Sequence, residues 1–513
     1  MSRSSTQLAK PAHPTTSSDQ VILTAAKGGV IAFAGNLFGY GIRFVFGIVI
    51  ARLLGADLFG LYSLGMTFPE LAGTIALLGL GAGLARFIPI AINKKDDAQI
   101  WGLIQVGIAI PGSVGLALAL LVFLCADLIS FRLYNQPALA PVLRLASWAI
   151  PLFALINVLE AITQGFKRME YKVYSEDITL PVLKLLLTVV LVVAGLGVMG
   201  ATAGYVVPLA VSVVMLLVFV NHLFPLKRAW KTAKYNVKDL FRFSLPVYLS
   251  HLVNQFGNSI ATLVLGFFGT TSGVGIFTAA LRVSSIGMLF YSSLMRIAAP
   301  MIADLHSQGK IDQLERMYQT TTKWGMSFNL PVFLTTAIFA PLILSIFGQD
   351  FVAGATTLTI LAFAFLFDAS TGVCGTIVTM TGHSKLSLAN SIISLVVSVG
   401  LDLLLIPRWG MVGAAVARSL CVILLNVLRL IQVYILLRIQ PYNIAFLKPI
   451  LAALAAAVIA SIASSRLVFL PAILQLIIGT VLLWGVYTVT ILLLRLDDED
   501  RLVLRRVWAR ITS

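Results

Sequence analysis

A chain of 513 residues that is 59% hydrophobic and only 11% charged has too little polar surface to coat a water-soluble core of its size. Its formal net charge of +16 would point a soluble protein toward nucleic acid, but in a membrane protein basic residues collect in cytoplasmic loops, so their positions decide the matter. Cys125, Cys374 and Cys421 are widely separated in or at the ends of apolar runs. That spacing suits neither a zinc site nor a disulfide framework, and it reads as small buried hydrophobes.

The first 26 residues are rich in Ser, Thr and Pro and lack a continuous apolar h-region. This argues against a cleaved signal peptide and predicts a disordered cytoplasmic tail at 1–26. Beyond it, apolar runs of about 20 residues, the length of a membrane-crossing helix, follow one another with few gaps. Fourteen are expected, at 28–51, 60–82, 100–124, 142–165, 176–196, 200–223, 243–268, 274–300, 322–346, 355–380, 386–406, 411–437, 446–464 and 470–494. The expected fold class is all-α and polytopic in the membrane.

Of the 37 Lys and Arg residues, 26 fall at one set of helix ends and 5 at the other. This alternation places both termini in the cytoplasm. Most of the positive charge then lies in loops against anionic lipid, and no nucleic-acid reading is needed.

The chain also repeats itself. Gly60 closes the turn between the first two segments and Gly275 the turn between the seventh and eighth, 215 residues apart. Gly197-Val198-Met199-Gly200-Ala201 matches Gly410-Met411-Val412-Gly413-Ala414 at an offset of 213, and Gln164-Gly165 matches Thr381-Gly382 at 217. A six-helix unit repeated once keeps its orientation, so the halves are expected to be related by an axis along the membrane normal, with a substrate cleft between them. The expected divisions are an N-lobe at 27–225, a basic cytoplasmic linker at 226–242 and a C-lobe at 243–440. Two further helices follow at 441–494, then a cytoplasmic tail at 495–513.

The run Ala51-Arg52-Leu53-Leu54-Gly55-Ala56-Asp57-Leu58-Phe59-Gly60-Leu61-Tyr62-Ser63-Leu64, continued by Leu78-Gly79-Leu80 and Ala85-Arg86-Phe87, resembles the helix 1–2 signature of polysaccharide transporters. These are the O-antigen and lipid-linked oligosaccharide flippases of the multidrug/oligosaccharidyl-lipid/polysaccharide exporter superfamily. The resemblance implies a plasma (inner) membrane protein that moves a polyprenyl-pyrophosphate-linked oligosaccharide outward by alternating access. It implies no cofactor beyond Na+ or H+ as coupling ion. Its implied partners are the lipid-linked saccharide, membrane lipid and polysaccharide assembly proteins, with the chain a monomer.

A charge in mid-bilayer needs a partner, water or a function. Arg43, Glu70 and Asp368 lie near the middle of their segments, Arg282 and Arg429 at intermediate depth. Lys184, Arg296, Arg418, Glu160 and Asp402 lie nearer the ends, where a headgroup-facing or snorkelling charge competes evenly with function. Asn36, Tyr40 and Arg43 share one face of the first helix. His251, Asn254, Gln255 and Asn258 share one face of the seventh and correspond to the first set under the 215 offset. A polar face on a membrane helix points at a cavity or another helix. Interhelical hydrogen bonding accounts for a single Asn better than for a matched stripe. The expected substrate-binding set is therefore Arg43, Asn36, Tyr40, Arg282, Arg429, His251, Asn254, Gln255 and Asn258, in a large polar cavity with arginines for the pyrophosphate. Pairing of Arg43 with Glu70 is the structural alternative. The expected ion-coupling carboxylates are Glu70, Asp368 and Glu160.

Two other functions compete with this reading. An ion-coupled multidrug exporter of the same superfamily fits Glu70 and Asp368 but favours an acidic cavity over a central Arg43. A membrane enzyme such as a polymerase or ligase needs a sizeable outer loop, whereas the largest here, around 125–141, holds only Asp127 and Arg132 as charges. No metal cluster, nucleophile motif or catalytic dyad is apparent. Gly309-Lys310 is followed by Ile311, so no phosphate loop is present either.

Overall fold

The computed structural model describes residues 17–225, 233–235, 237–467, 469–494 and Asp500, with side chains from residue 35 onward except those of Asn36, Pro246, Val247 and Ser250. The tails expected at 1–26 and 495–513 and the linker at 226–242 fall largely or partly outside these residues. The first helix already begins at Ser17, inside the segment expected to be disordered. Among the described residues the regular structure is helical throughout.

The first half comprises α1 (Ser17–Leu77), α2 (Leu80–Asn93), α3 (Asp97–Asp127), α4 (Leu139–Ser147), α5 (Ala149–Gly165), the single turn α6 (Met169–Lys172), α7 (Leu180–Leu191) and α8 (Gly197–Leu223). The second comprises α9 (Val237–Phe268), α10 (Thr271–Ser284), α11 (Gly287–Ser307), α12 (Ile311–Ile338), α13 (Ala340–Ser345), α14 (Ala355–Thr371), α15 (Cys374–Met380) and α16 (Ser384–Leu437). Two more helices, α17 (Leu447–Arg466) and α18 (Ala472–Leu493), pack on each other and on α12. The ring of Phe339 sits against Gly479 of α18 where a Cβ would collide with it.

Nine helical runs among the described residues are long and apolar enough to cross a membrane, so the chain is a multi-pass membrane protein. Nine differs from the expected fourteen for physical reasons. The runs Leu37–Leu77, Met169–Leu223 and Ser384–Leu437 each join two expected segments across a glycine break. The α9 and α12 helices are long enough but carry too many polar residues. Large apolar side chains face outward, as a lipid-facing surface requires: Leu124, Val193 and Val481 are each about 70% exposed.

The breaks carry the repeat. Gly197 has φ 50 and ψ −131, and Gly410 has φ 55 and ψ −130. A side chain rarely adopts this conformation, and glycine has none to clash. Downstream, Gly200 lies against the backbone of Leu191 and Gly413 against that of Leu405, a close approach of the same kind in each half. At the other matched turn the two copies meet. A Cβ on Gly60 would collide with the Thr271 carbonyl oxygen, and one on Gly275 with that of Ala56. Beside them Thr271 Oγ1 donates to Asp57 Oδ1 at 3.2 Å. Equivalent positions of two repeats touch only close to the axis relating them, so that axis passes between Gly60 and Gly275. A buried apolar cluster seals this end, with Phe46, Phe59 and Tyr62 of α1, Phe277 of α10, and Phe347 and Phe351.

Candidate functional site: a cationic cavity between the halves

Below the glycine contact, the C-terminal part of α1 meets α7, α8, α9 and α10 around a cavity of about 210 Å³. The α1 helix supplies Tyr62, Ser63, Thr67 and Glu70, α7 supplies Lys184, and α8 supplies Tyr205. From the second half come Gln255, Asn258 and Ser259 of α9, and Thr278 and Arg282 of α10. Several hydroxyl protons are already spent on the helix backbone: Ser63 donates to the Phe59 carbonyl at 2.8 Å, Thr67 to that of Ser63 at 2.9 Å, and Thr278 to that of Val274 at 2.8 Å. Lys184 and Arg282 are therefore the strong donors facing the cavity, helped by the amides of Gln255 and Asn258.

Neither cation has a carboxylate within ion-pair distance among the described residues. Lys184 Nζ lies 3.8 Å from the centre of the Tyr205 ring and 4.8 Å from that of Phe46. Such aromatic faces attract a cation without consuming its hydrogen-bonding capacity fully. The Arg282 guanidinium lies 5.8 Å from the Phe59 ring centre and runs across Gly47, where a Cβ would meet Nη1. Both side chains also line a second, more apolar cavity of about 280 Å³ with Tyr40, Arg43, Phe44, Phe46 and Pro181. Each cavity falls below the roughly 300–1,000 Å³ of a drug-sized ligand pocket. The large polar chamber expected from the sequence is thus replaced, in this conformation, by two smaller cavities that share two cations.

Arg43 is differently placed. Its Nη2 donates to the Glu176 carbonyl at 3.0 Å and to Asp177 Oδ1 at 3.4 Å, with the Glu176 carboxylate 3.7 Å away. Lys172 bridges Glu176 at 3.2 Å and Glu160 at 3.7 Å. Arg43 does reach the second cavity and stacks 5.9 Å from Tyr40, but its charge is shared with carboxylates. The alternative pairing with Glu70 does not occur. Glu160 is buried in this network, with Oε1 lacking a hydrogen-bond partner, and lies apart from Glu70.

The other expected residues are dispersed. The Asn36 side chain lies outside the described set. Gln255 and Asn258 join the central cavity, and Asn258 also accepts from Arg418 Nη2 at 3.4 Å. Asn254 faces a smaller neighbouring cavity with Arg418 and Ser398. His251 is exposed and lines neither central cavity. Asp368 and Arg429 sit together in the second half, in a separate cavity of about 230 Å³ with Tyr291 and Cys374, where Asn426 Nδ2 donates to Asp368 Oδ1 at 2.7 Å. Arg429 is therefore not a companion of Arg43. Among the described residues no group of three His, Cys, Asp or Glu is placed to hold a metal ion.

The sequence model of the family described as "Polysaccharide biosynthesis protein" matches residues 25–306, more than half of the chain. The chain belongs to this family. A second model, MatE, matches residues 246–404. Among relatives of this family member, a probable low-salt glycan biosynthesis flippase, Agl15 of Haloferax volcanii, is 25% identical over 410 residues, which is 77% of this chain and 80% of the relative. Stage V sporulation protein B of Bacillus subtilis is 22% identical over 430 residues, 79% of this chain and 82% of the relative. In three dimensions the chain is similar to the lipid II flippase MurJ in an inward closed conformation, with a TM-score of 0.68, 16% identity, and coverage of 91% of this chain and 98% of that one. An inward-facing multidrug resistance MATE family transporter gives a TM-score of 0.63 at 19% identity, covering 77% and 94%. The family member therefore has the helical transporter fold that these two share.

Lys184 lines both central cavities, although the expected depth set it nearer a segment end. It stands eight residues into the segment expected at 176–196, about 12 Å along the axis at 1.5 Å per residue, too deep for easy snorkelling. Glu176 and Asp177 open that same segment, and an inventory of mid-membrane acids passes over them.

Proposed function

We propose that this protein flips a lipid-linked oligosaccharide, carried on polyprenyl pyrophosphate, from the cytoplasmic to the outer leaflet of the plasma membrane for surface polysaccharide assembly. The observation that carries the reading is the pair of basic side chains, Lys184 and Arg282, that make no contact ion pair and stand at the junction of a polar and an apolar cavity between the two halves. Such a junction suits a substrate whose anionic pyrophosphate joins a sugar to a hydrocarbon chain. Arg282 offers a planar fork and Lys184 a compact charge to phosphate oxygens. Gln255 and Asn258 hydrogen-bond the first sugar, while Tyr40 and Phe44 meet the isoprenoid. The flippases named among the relatives and the fold shared with the lipid II flippase support this reading.

The chain carries out no covalent reaction in this scheme and acts as a monomer with both termini in the cytoplasm. The two halves rock about the Gly60–Gly275 contact, opening the cavity to alternate sides. Energy comes from an ion gradient or the membrane potential, and the polysaccharide assembly enzymes are the partners. Complementation of a strain lacking the gene tests it. Lys184→Ala and Arg282→Ala should each abolish surface polysaccharide while the protein stays in the membrane at normal level. Normal polysaccharide in both strains would sink the reading. Glu70 in the cavity keeps a multidrug exporter as the competing reading, and uptake of organic cations by inverted vesicles separates the two.

A further inference from the structure

The helices α11 and α12 run antiparallel from the short loop 308–310 and enclose a groove of about 290 Å³. Leu294, Ile297 and Met301 of α11 form one wall and Met317 and Trp324 of α12 the other, with Arg316 toward the loop end. Thr321 also lines it, but its hydroxyl is turned back onto the Met317 and Tyr318 carbonyls at 2.8 and 3.1 Å. We infer that this groove holds one hydrocarbon chain of an anionic phospholipid of the inner leaflet, with the lipid's phosphodiester on Arg316.

Depth and polarity match such a lipid. Ile297 and Met301 at the rim are 64% and 47% exposed, on a chain that crosses the membrane many times. An apolar groove left empty there forfeits the dispersion contacts of its walls, and a lipid chain restores them. From Arg316 to Trp324 is a rise of about 12 Å at 1.5 Å per residue, against about 15 Å for half of the hydrocarbon core. A chain hung from Arg316 therefore lies along most of one leaflet. The alternation of basic loops puts loop 308–310 on the cytoplasmic side, where the leaflet carries anionic lipid.

The groove is held open by its surroundings. Trp324 Nε1 donates to Asp500 Oδ1 at 2.8 Å, and the other oxygen of that carboxylate meets the buried Lys323 Nζ at 3.0 Å. The indole is thereby fixed as a wall and does not swing in to fill the space. Arg316 is exposed and forms no hydrogen bond or ion pair among the described residues. The nearby acids are turned elsewhere: Glu315 Oε1 accepts from the Gln440 N–H at 3.2 Å, and Asp304 Oδ1 from Gln308 Nε2 at 2.8 Å. Asp312, one turn before Arg316, makes no ion pair with it. The guanidinium fork is left to a phosphate. No lining residue of this groove is shared with the two central cavities, so the bound lipid is not the cargo, and the inference stands apart from the flippase reading.

The test is native mass spectrometry of the purified full-length protein, delipidated and then mixed with phosphatidylglycerol, phosphatidylethanolamine or a polyprenyl monophosphate. Wild-type protein should retain one phosphatidylglycerol roughly tenfold better than phosphatidylethanolamine, whose ammonium competes for its own phosphate; this is the size of one charge-assisted contact. Arg316→Gln should erase that preference, and Ile297→Trp, which crowds the groove, should lower retention of both lipids. Arg296→Gln changes an exposed arginine of α11 that does not line the groove and should retain lipid as wild type does. Equal phosphatidylglycerol retention in wild type and Arg316→Gln overturns the inference, as does an equal loss in Arg296→Gln. A polyprenyl monophosphate that displaces phosphatidylglycerol also overturns it, because the groove then belongs to the path of the cargo. Should Ile297→Trp fail to fold, the exposed Arg316 position and the headgroup comparison still decide. Transport does not enter this readout, so failure of the flippase reading is a separate outcome.

Discussion

Arg43 and the Lys184–Arg282 pair occupy the same apolar cavity, yet they are different kinds of charge. Arg43 is held by Asp177 and Glu176, in a network that continues through Lys172 to Glu160. Lys184 and Arg282 are held by aromatic rings and a glycine gap, with no carboxylate in contact. Depth in the membrane raises the cost of a charge, but the identity of its partner tells whether that cost is met by the protein or left for a ligand. On this view Arg43 ties α1 to the start of the fifth segment, and the other two cations are the ones open to a phosphate.

The largest effects should fall on the open pair. Lys184→Met or Arg282→Met removes a charge-assisted contact worth about 1.5–3 kcal/mol, so transport in reconstituted vesicles should drop roughly tenfold to a hundredfold. Arg429→Met, in its separate cavity, should change it less than about twofold. An equal loss for Arg429→Met would erase the distinction between the two cavities.

Next comes the contact at the axis. Gly60→Val places atoms into the Thr271 carbonyl, so it should hold the halves apart there. In a chain freed of its native cysteines, Asp57→Cys with Thr271→Cys should cross-link readily and arrest transport until reduced. Adding Gly60→Val should suppress the cross-link, and unchanged cross-linking would show that the halves do not meet as described.

Arg43→Ala should cost stability more than chemistry. It strands the buried Asp177, but Arg43 is itself 39% exposed, so the loss is nearer the roughly 1 kcal/mol of solvent-screened pairs than the ~3–5 kcal/mol of buried ones. Arg43→Lys should keep most of the stability, and Asp177→Asn should restore part of what Arg43→Ala loses. Thermal unfolding measures all three. Transport abolished by Arg43→Ala in a fully stable protein would move Arg43 into the open class.

The smallest effect is at the surface. Asp96 caps α3 by accepting from the Gln99 N–H at 3.0 Å and from Lys234 Nζ at 3.2 Å, and these two hold its carboxyl below the ordinary carboxylate range. Its contribution is present above the unfolded value near 4 and is lost as pH falls through the depressed one. Asp96→Ala should lower the unfolding temperature slightly at neutral pH and converge with wild type in acid. A difference that persists in acid would assign the effect to something other than the carboxylate.

Much of the fold was legible because it rests on apolar length and on glycines. The matched glycines at 197 and 410 hold a backbone conformation that glycine favours, those at 60 and 275 admit a close backbone approach, and periodic spacing exposes both pairs. Gln255, Asn258 and Arg282 were legible as polar residues on helix faces that must avoid lipid. The partner of Arg43 was not, because Glu176 and Asp177 stand at a segment boundary, where sequence does not separate membrane from headgroup. Lys184 was legible only as a charge inside a segment, because sequence does not show that its helix turns it toward the cavities it shares with Arg282. His251 shares the helix face of Gln255 and is nonetheless exposed, since one face of a long helix passes from cavity to surface along its length. The division of the cleft into two small cavities depends on how far the halves close, which no single segment encodes.

The contact at the axis has one further consequence. It is built from backbone and has no side chains that mutation could trim. Every substitution at Gly60 or Gly275 adds bulk, so variation at these sites is one-directional and can only loosen the joint. Because each glycine faces its own counterpart, a change in either copy is felt by both halves at once. The two positions are therefore locked to each other in drift, and a library randomising them should return glycine far more often than any other residue.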